Sequence, residues 1–177
     1  MKIRRMFNRS VARKEEGWAM MEVMIAIFVA LIMLGGVFAY VSIAMQGAKV
    51  SDAQSNLSTI RMGIQKLYTG QPNYSGLDTS TANSAGVFPE SMTSASGPKN
   101  AWNGDITVSV AGDPTQFEIT YNDVPKEPCV ELARYGYGSW ESVEVGGTSI
   151  SQSGGGAVSD AVSACSSGGN SLTYTSN

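Results

Sequence analysis

Twenty-six consecutive residues, 23–48, carry no charge, and the carboxylate of Glu22 stands immediately before them. As an α-helix this stretch extends about 39 Å, enough to cross the hydrocarbon core of a bilayer. The apolar segment as a whole is read as residues 18–45. A carboxylate within a spanning helix costs roughly 2.5–3.5 kcal/mol at the helix centre and less near an end. Glu22 therefore calls for a cation supplied by another chain. The plainer reading is an interfacial residue that ends the span.

The flanking charges orient the segment. Six of the twelve basic residues (Lys2, Arg4, Arg5, Arg9, Arg13 and Lys14) precede Trp18, against two acids, and this bias keeps the N-terminal side cytoplasmic. From Trp18 onward there are six basic and thirteen acidic residues, a formal charge of −7, so nucleic acid is not expected as a partner. Cys129 and Cys165 both fall in the part expected to be exported. An even count outside the cytoplasm reads as one disulfide, which stabilises by about 4 kcal/mol in the chain-entropy model. Two buried free thiols would suit a cytosolic chain. The sequence has no histidine and no CxxC spacing, so a zinc centre or a histidine-based triad is unavailable. Neither enzyme chemistry nor a cofactor is expected.

Beyond the charge-free run, Val50, Ala53, Leu57, Ile60, Ile64 and Leu67 recur every three or four residues with polar residues between them, the pattern of a helix with one apolar stripe. No proline interrupts residues 18–71. One long helix over 18–69 is the economical reading, and two helices joined near Gln46-Gly47 is the alternative. Gly35-Gly36 permits a bend. Residues 70–177 change to Gly, Ser, Thr, Asn and Pro and read as a small head of mixed helix and antiparallel sheet whose modest core gains from a disulfide. Residues 71–99 read mostly as loop, anchored at Val87-Phe88-Pro89. The alternating stretches 106–110 and 117–121 flank a turn at 111–114 and predict an antiparallel hairpin. Short helices are expected at 130–134 and 157–165, and strands at 142–150 and 171–175. Gly154-Gly155-Gly156 and Gly168-Gly169 read as flexible connections, since the strand, helix and lysine of a phosphate loop are missing around them.

The segment Gly17-Trp18-Ala19-Met20-Met21-Glu22-Val23 closes a basic leader on glycine and places glutamate at the fifth position beyond that glycine. It resembles the processing site of prepilins. Three further features resemble the type IVb class, nearest to the major pilins of thin conjugative and bundle-forming pili. These are the seventeen-residue leader, the stretch Lys66-Leu67-Tyr68-Thr69-Gly70-Gln71-Pro72-Asn73-Tyr74-Ser75-Gly76-Leu77, and the lead-in Asn100-Ala101-Trp102-Asn103-Gly104. Trp18 departs from the Phe or Met most common at the first processed position.

The resemblance implies an α+β fold of the type IV pilin kind, with a long N-terminal helix packed on a small antiparallel sheet. It implies that residues 1–17 are a cleaved leader, that a prepilin peptidase cuts between Gly17 and Trp18 and methylates the new amine of Trp18, and that 18–45 is transmembrane before assembly. Glu22 then pairs with the amine of a neighbouring Trp18, and Val23, Ile25, Ile27, Phe28, Leu31, Ile32 and Leu34 pack in the fibre core. The implied partners are other copies of the chain, the peptidase, and an inner-membrane assembly platform with its ATPase. The implied locations are the bacterial inner membrane and then an extracellular pilus used in adhesion or conjugative contact, with 129–165 as a disulfide-closed region. A minor pilin or a type II secretion pseudopilin shares the N-terminal features, and a membrane-anchored binding domain remains a third reading. Trp102, Tyr135, Tyr137 and Trp140 are candidates for an adhesive patch, against the plainer alternative of core or subunit contacts.

Overall fold

Helix α1 (Ala12–Leu67) is the longest element, and its assignment continues through Gln46 and Gly47, where the sequence left room for a joint. The computed structural model describes residues 12–136, 138–151 and 156–177, with the side chains of 12–17, 19 and 37–44 outside that description. The chain divides into two units, 1–45 and 46–177. Among the described residues of the first, α1 is the only element, and Val23, Ile25, Ile27, Phe28, Leu31, Ile32 and Leu34 are each more than half exposed. No helix among the described residues is long and apolar enough to cross a membrane, and part of the expected span, 37–44, lies outside the described side chains.

In the second unit the apolar stripe becomes the floor of the core. Val50, Ala53, Leu57, Ile60 and Ile64 are buried, each of the large aliphatic ones contributing roughly 1.5–3 kcal/mol. Leu67, the last member of the predicted stripe, is exposed because the helix ends there. Val87 and Phe88 are buried as expected of an anchor. Val87 seats against Gly63 of α1, where an added Cβ would lie 3.1 Å from its Cγ1.

The stretch 71–99 holds more order than its composition promised. Asp78 caps a short helix, α2 (Thr79–Ser84), by accepting from the Thr81 amide at 2.6 Å. The hydroxyl of Thr79 accepts from Val108 N at 2.9 Å and so occupies a backbone position that would otherwise be an open sheet edge. A single turn at Glu90–Met92 follows, and then a two-stranded ribbon of β1 (Thr93–Ser94) and β2 (Gly97–Pro98).

The main sheet is antiparallel and contains β3 (Ile106–Val110), β4 (Phe117–Val124), β5 (Ser142–Val145), β6 (Thr148–Ser149) and β7 (Asn170–Ser176), in the order β3-β4-β7-β5-β6. The predicted hairpin is β3 and β4. The segment expected as one strand over 142–150 is instead a hairpin, because Gly146 and Gly147 take φ of 57° and 80°, the conformation of a two-residue reversing turn. The last strand occupies the middle of the sheet. Leu172 and Tyr174 face the core with Phe117, Ile119, Tyr121, Val143 and Val145. On the other face hydroxyls join the strands, Thr120 to Thr173 at 3.0 Å and Ser142 to Thr175 at 2.9 Å.

Helix α3 (Lys126–Ala133) begins four residues before the predicted helix, since Pro128 sits in its first turn, where a missing N–H leaves no bond unmade. Helix α4 (Ala157–Ala164) ends at Cys165.

Candidate functional site

Of the residues marked for processing and assembly, Gly17 lies in α1 with its surroundings outside the description. Trp18 is 80% exposed. Glu22 lies one helical turn further on, also exposed, with no hydrogen bond or ion pair among the described residues. Residues four apart share a helix face, so Trp18 and Glu22 form one edge of a strip that continues into the exposed apolar side chains. Bare apolar area of this extent marks a surface that is covered by lipid or by other chains.

The two cysteines are joined. Cys129 of α3 and Cys165 at the end of α4 have Cα atoms 6.0 Å apart, and both are buried. The bond closes a segment containing the β5–β6 hairpin. The chain then returns through a turn at 166–169 that is more ordered than its glycines suggested. Asn170 organises it: its Oδ1 accepts from the amide of Ser166 at 2.7 Å, and its Nδ2 donates to Gly168 O at 3.0 Å and to Val124 O at 2.9 Å. Gly169 is required there, since a Cβ would lie 2.8 Å from Asp123 Oδ1 and 3.1 Å from Asp123 Cα. Gly156 lies just before α4, and Gly154 and Gly155 fall outside the described residues.

The lead-in at 100–104 is a compact turn. Asn100 Oδ1 accepts from the amides of Trp102 and Gly104 at 2.9 and 3.0 Å, and its Nδ2 donates to Asn122 O at 2.6 Å. Asn103 adopts φ of 69°, the left-handed conformation asparagine tolerates. Gly104 lies against β4 so closely that a Cβ would fall 1.9 Å from Asn122 O. This motif attaches the incoming strand to the sheet.

The aromatic residues proposed as an adhesive patch are mostly committed within the subunit. Trp102 is half-buried. Trp140 is buried against Tyr174, with ring centroids 5.2 Å apart. Tyr135 shares a hydrogen bond with Ser58 of α1 at 2.8 Å, and Tyr137 lies outside the described residues. Tyr174 donates to Leu132 O at 2.8 Å. Burial raises its phenol well above the ordinary tyrosine range, and the neighbouring Tyr121 and Tyr135 add to the shift.

Sequence reasoning did not mark Arg61. Its guanidinium donates through Nη1 to Ser139 O and lies 4.8 Å from the centre of the Trp140 ring, which fixes α1 to the disulfide-closed face. Only its position beside the apolar stripe hinted at this role. Among the described residues no group of three His, Cys, Asp or Glu side chains is arranged to hold a metal.

A buried helix stripe under an antiparallel sheet, closed by one C-terminal disulfide, is an arrangement shared with known proteins. Residues 47–177 match the PilS N-terminal family. The chain belongs to that family and is a type IVb pilin. This pilin is 28% identical over 129 residues to the major structural subunit of bundle-forming pilus from Escherichia coli O127:H6 (strain E2348/69 / EPEC), an alignment covering 71% of this chain and 67% of the relative. The corresponding protein of Escherichia coli O111:H- matches with the same figures. The crystal structure of type IV b pilin from Salmonella typhi aligns with a TM-score of 0.55 at 23% identity, covering 70% of this pilin and 97% of that chain. That of TcpA, a type IV pilin from Vibrio cholerae El Tor biotype, gives 0.56 at 13% identity, covering 73% and 99%. These structural likenesses are of fold. The pilin is a structural subunit of a non-enzymatic family.

Proposed function

We propose that this pilin is made as a prepilin and is the major subunit of a type IVb pilus, an extracellular fibre used in adhesion or conjugative cell contact. The peptidase cuts after Gly17 and methylates Trp18. The released chain waits in the inner membrane with 18–45 in lipid, and an assembly platform and its ATPase move it into the fibre. The observation that carries this reading is the exposed Glu22, four residues beyond Trp18 and at the head of an apolar helix whose described side chains from Val23 to Leu34 are exposed. An unpaired carboxylate among apolar helices is heavily penalised. The new amine of Trp18 on an adjacent subunit removes that penalty and sets the register. Lipid before assembly, and neighbouring helices after it, cover the exposed side chains. The role named for the relatives supports the major rather than the minor subunit.

N-terminal sequencing of the dominant protein in sheared fibres tests this directly, and the expected first residue is N-methylated Trp18. A mature chain that begins elsewhere overturns the processing site. A chain scarce in fibres built mainly from another protein is a minor pilin. Glu22→Ala should still enter the membrane and fail to polymerise. Normal fibres from that variant would refute the pairing.

A further inference from the structure

Two flanks of α1 within the 46–177 unit carry opposite charges that have no ion-pair partner among the described residues. On one flank a groove of about 420 Å³ is lined by Ser58, Arg61, Met62, Tyr135 and Trp140, among others. Arg61 Nε is buried there without a hydrogen bond, and among the described residues no carboxylate pairs with the guanidinium, the ion pair found being Lys99–Asp105. A partly desolvated cation is costly until an anion joins it. The opposite flank has a second groove of about 400 Å³, lined by Asp52, Asn56, Met92, Lys99 and Asn100, among others. Lys99 is committed to Asp105 at 2.7 Å, whereas Asp52 is exposed and has no partner among the described residues. Nine residues separate Asp52 from Arg61. That is two and a half turns, which places them on opposite sides of the helix and about 13.5 Å apart along it.

We propose that these flanks are the two halves of one repeating contact, in which Arg61 of one copy receives the Asp52 carboxylate of a second copy of this chain. The inference rests on the reading of the chain as a fibre subunit. A polymer that propagates in one direction needs two different complementary patches on each subunit, and here one flank lacks an anion while the other offers one. Charge argues for the same occupant. Residues 46–177 contain twelve acidic and six basic residues, so heads brought together repel unless the few free cations are placed at the contact. The groove also presents Arg, Trp, Tyr and Met side by side, the residue types enriched at interface centres, and Met62 is 61% exposed beside the unpaired guanidinium.

The test uses the full chain in cells that assemble fibres. Arg61→Glu and Asp52→Arg should each lower the yield of sheared fibres by about tenfold or more, with membrane-associated subunit unchanged, and the double variant should recover most of the yield. Because Arg61 also holds Ser139 and Trp140 inside the subunit, a second measurement leaves both charges intact. Ser91→Cys, on the Asp52 groove, combined with Met62→Cys, on the Arg61 groove, treated in intact fibres with a short bis-maleimide, should give a ladder of cross-linked subunits, whereas each single cysteine should give none beyond a dimer. Wild-type yield from Arg61→Glu, a double variant no better than the single, or absence of the ladder in well-formed fibres overturns the contact while leaving the pilus reading intact. Failure of the wild-type chain to appear in any fibre removes the pilus reading itself.

Discussion

Replacing Gly104 by alanine places a methyl carbon 1.9 Å from Asn122 O, 2.6 Å from the carbonyl carbon, and 2.8 Å from Asn100 Nδ2. Comfortable contact begins at about 3.5 Å, and the two nearest atoms belong to the main chain of β4, which cannot step aside as a side-chain end would. The lead-in must therefore move away from β4 by more than an ångström, and the three hydrogen bonds made by the Asn100 side chain to Trp102, Gly104 and Asn122 are lost together. At about 1 kcal/mol net for each bond the cost is about 3 kcal/mol. For a unit of this size that lowers the unfolding midpoint by about 10 °C. Gly112→Ala is the matched control, since its Cβ meets nothing within 4 Å and its φ is not positive. Thermal unfolding of the full chain in mild detergent, followed by tryptophan fluorescence, compares the two. A Gly104→Ala midpoint within about 2 °C of the unaltered protein, or equal losses from both variants, would refute the close-approach argument.

Three further outcomes are expected. Cys129→Ser should lower stability by about 4 kcal/mol in the chain-entropy model and remove the difference between oxidising and reducing conditions, read by the unfolding midpoint with and without reductant. The two buried tyrosines should separate: Tyr174→Phe removes the hydroxyl that donates to Leu132 O, leaving that carbonyl to the Tyr135 amide, and costs about 1 kcal/mol at neutral pH, whereas Tyr121→Phe removes a hydroxyl that has no hydrogen-bond partner among the described residues and costs little. Burial raises both phenols in the folded chain, so their contribution is intact below the unfolded value of about 10 and declines as pH rises above it; either variant should flatten the alkaline limb of a stability profile. Asp78 is shifted the other way, lowered by the Thr81 amide first and then by the Ser80 hydroxyl. Its contribution is present above the unfolded value of about 3.9 and lost as pH falls through the folded one, so Asp78→Asn should show a shallower acid limb.

Legibility in the sequence followed the range of the forces involved. The stripe at Val50, Ala53, Leu57, Ile60 and Ile64 was readable because each of those residues obeys a period set by the helix itself, and the β3–β4 hairpin because alternation and its turn are adjacent in the chain. The boundary errors were local too. Pro128 reads as a helix breaker until it is placed in a first turn, and Gly146-Gly147 reads as two weak strand residues until their positive φ turns the chain. The ordered turn at Asn170 was invisible, because its glycines look flexible until the carbonyls that Asn170 collects, one of them from Val124 in another strand, are in place.

The amino-acid sequence by itself determined the charge-free helix, the lone acid at its head, the cluster of basic residues before Trp18 and the presence of a cysteine pair, all of which are properties of neighbours along the chain. Only the tertiary structure decided that the last strand lies in the centre of the sheet, that Trp140 is packed beneath Arg61, and that Gly104 admits no side chain. Those outcomes depend on which distant surfaces share one core, and packing of that kind is fixed only when all of the elements meet.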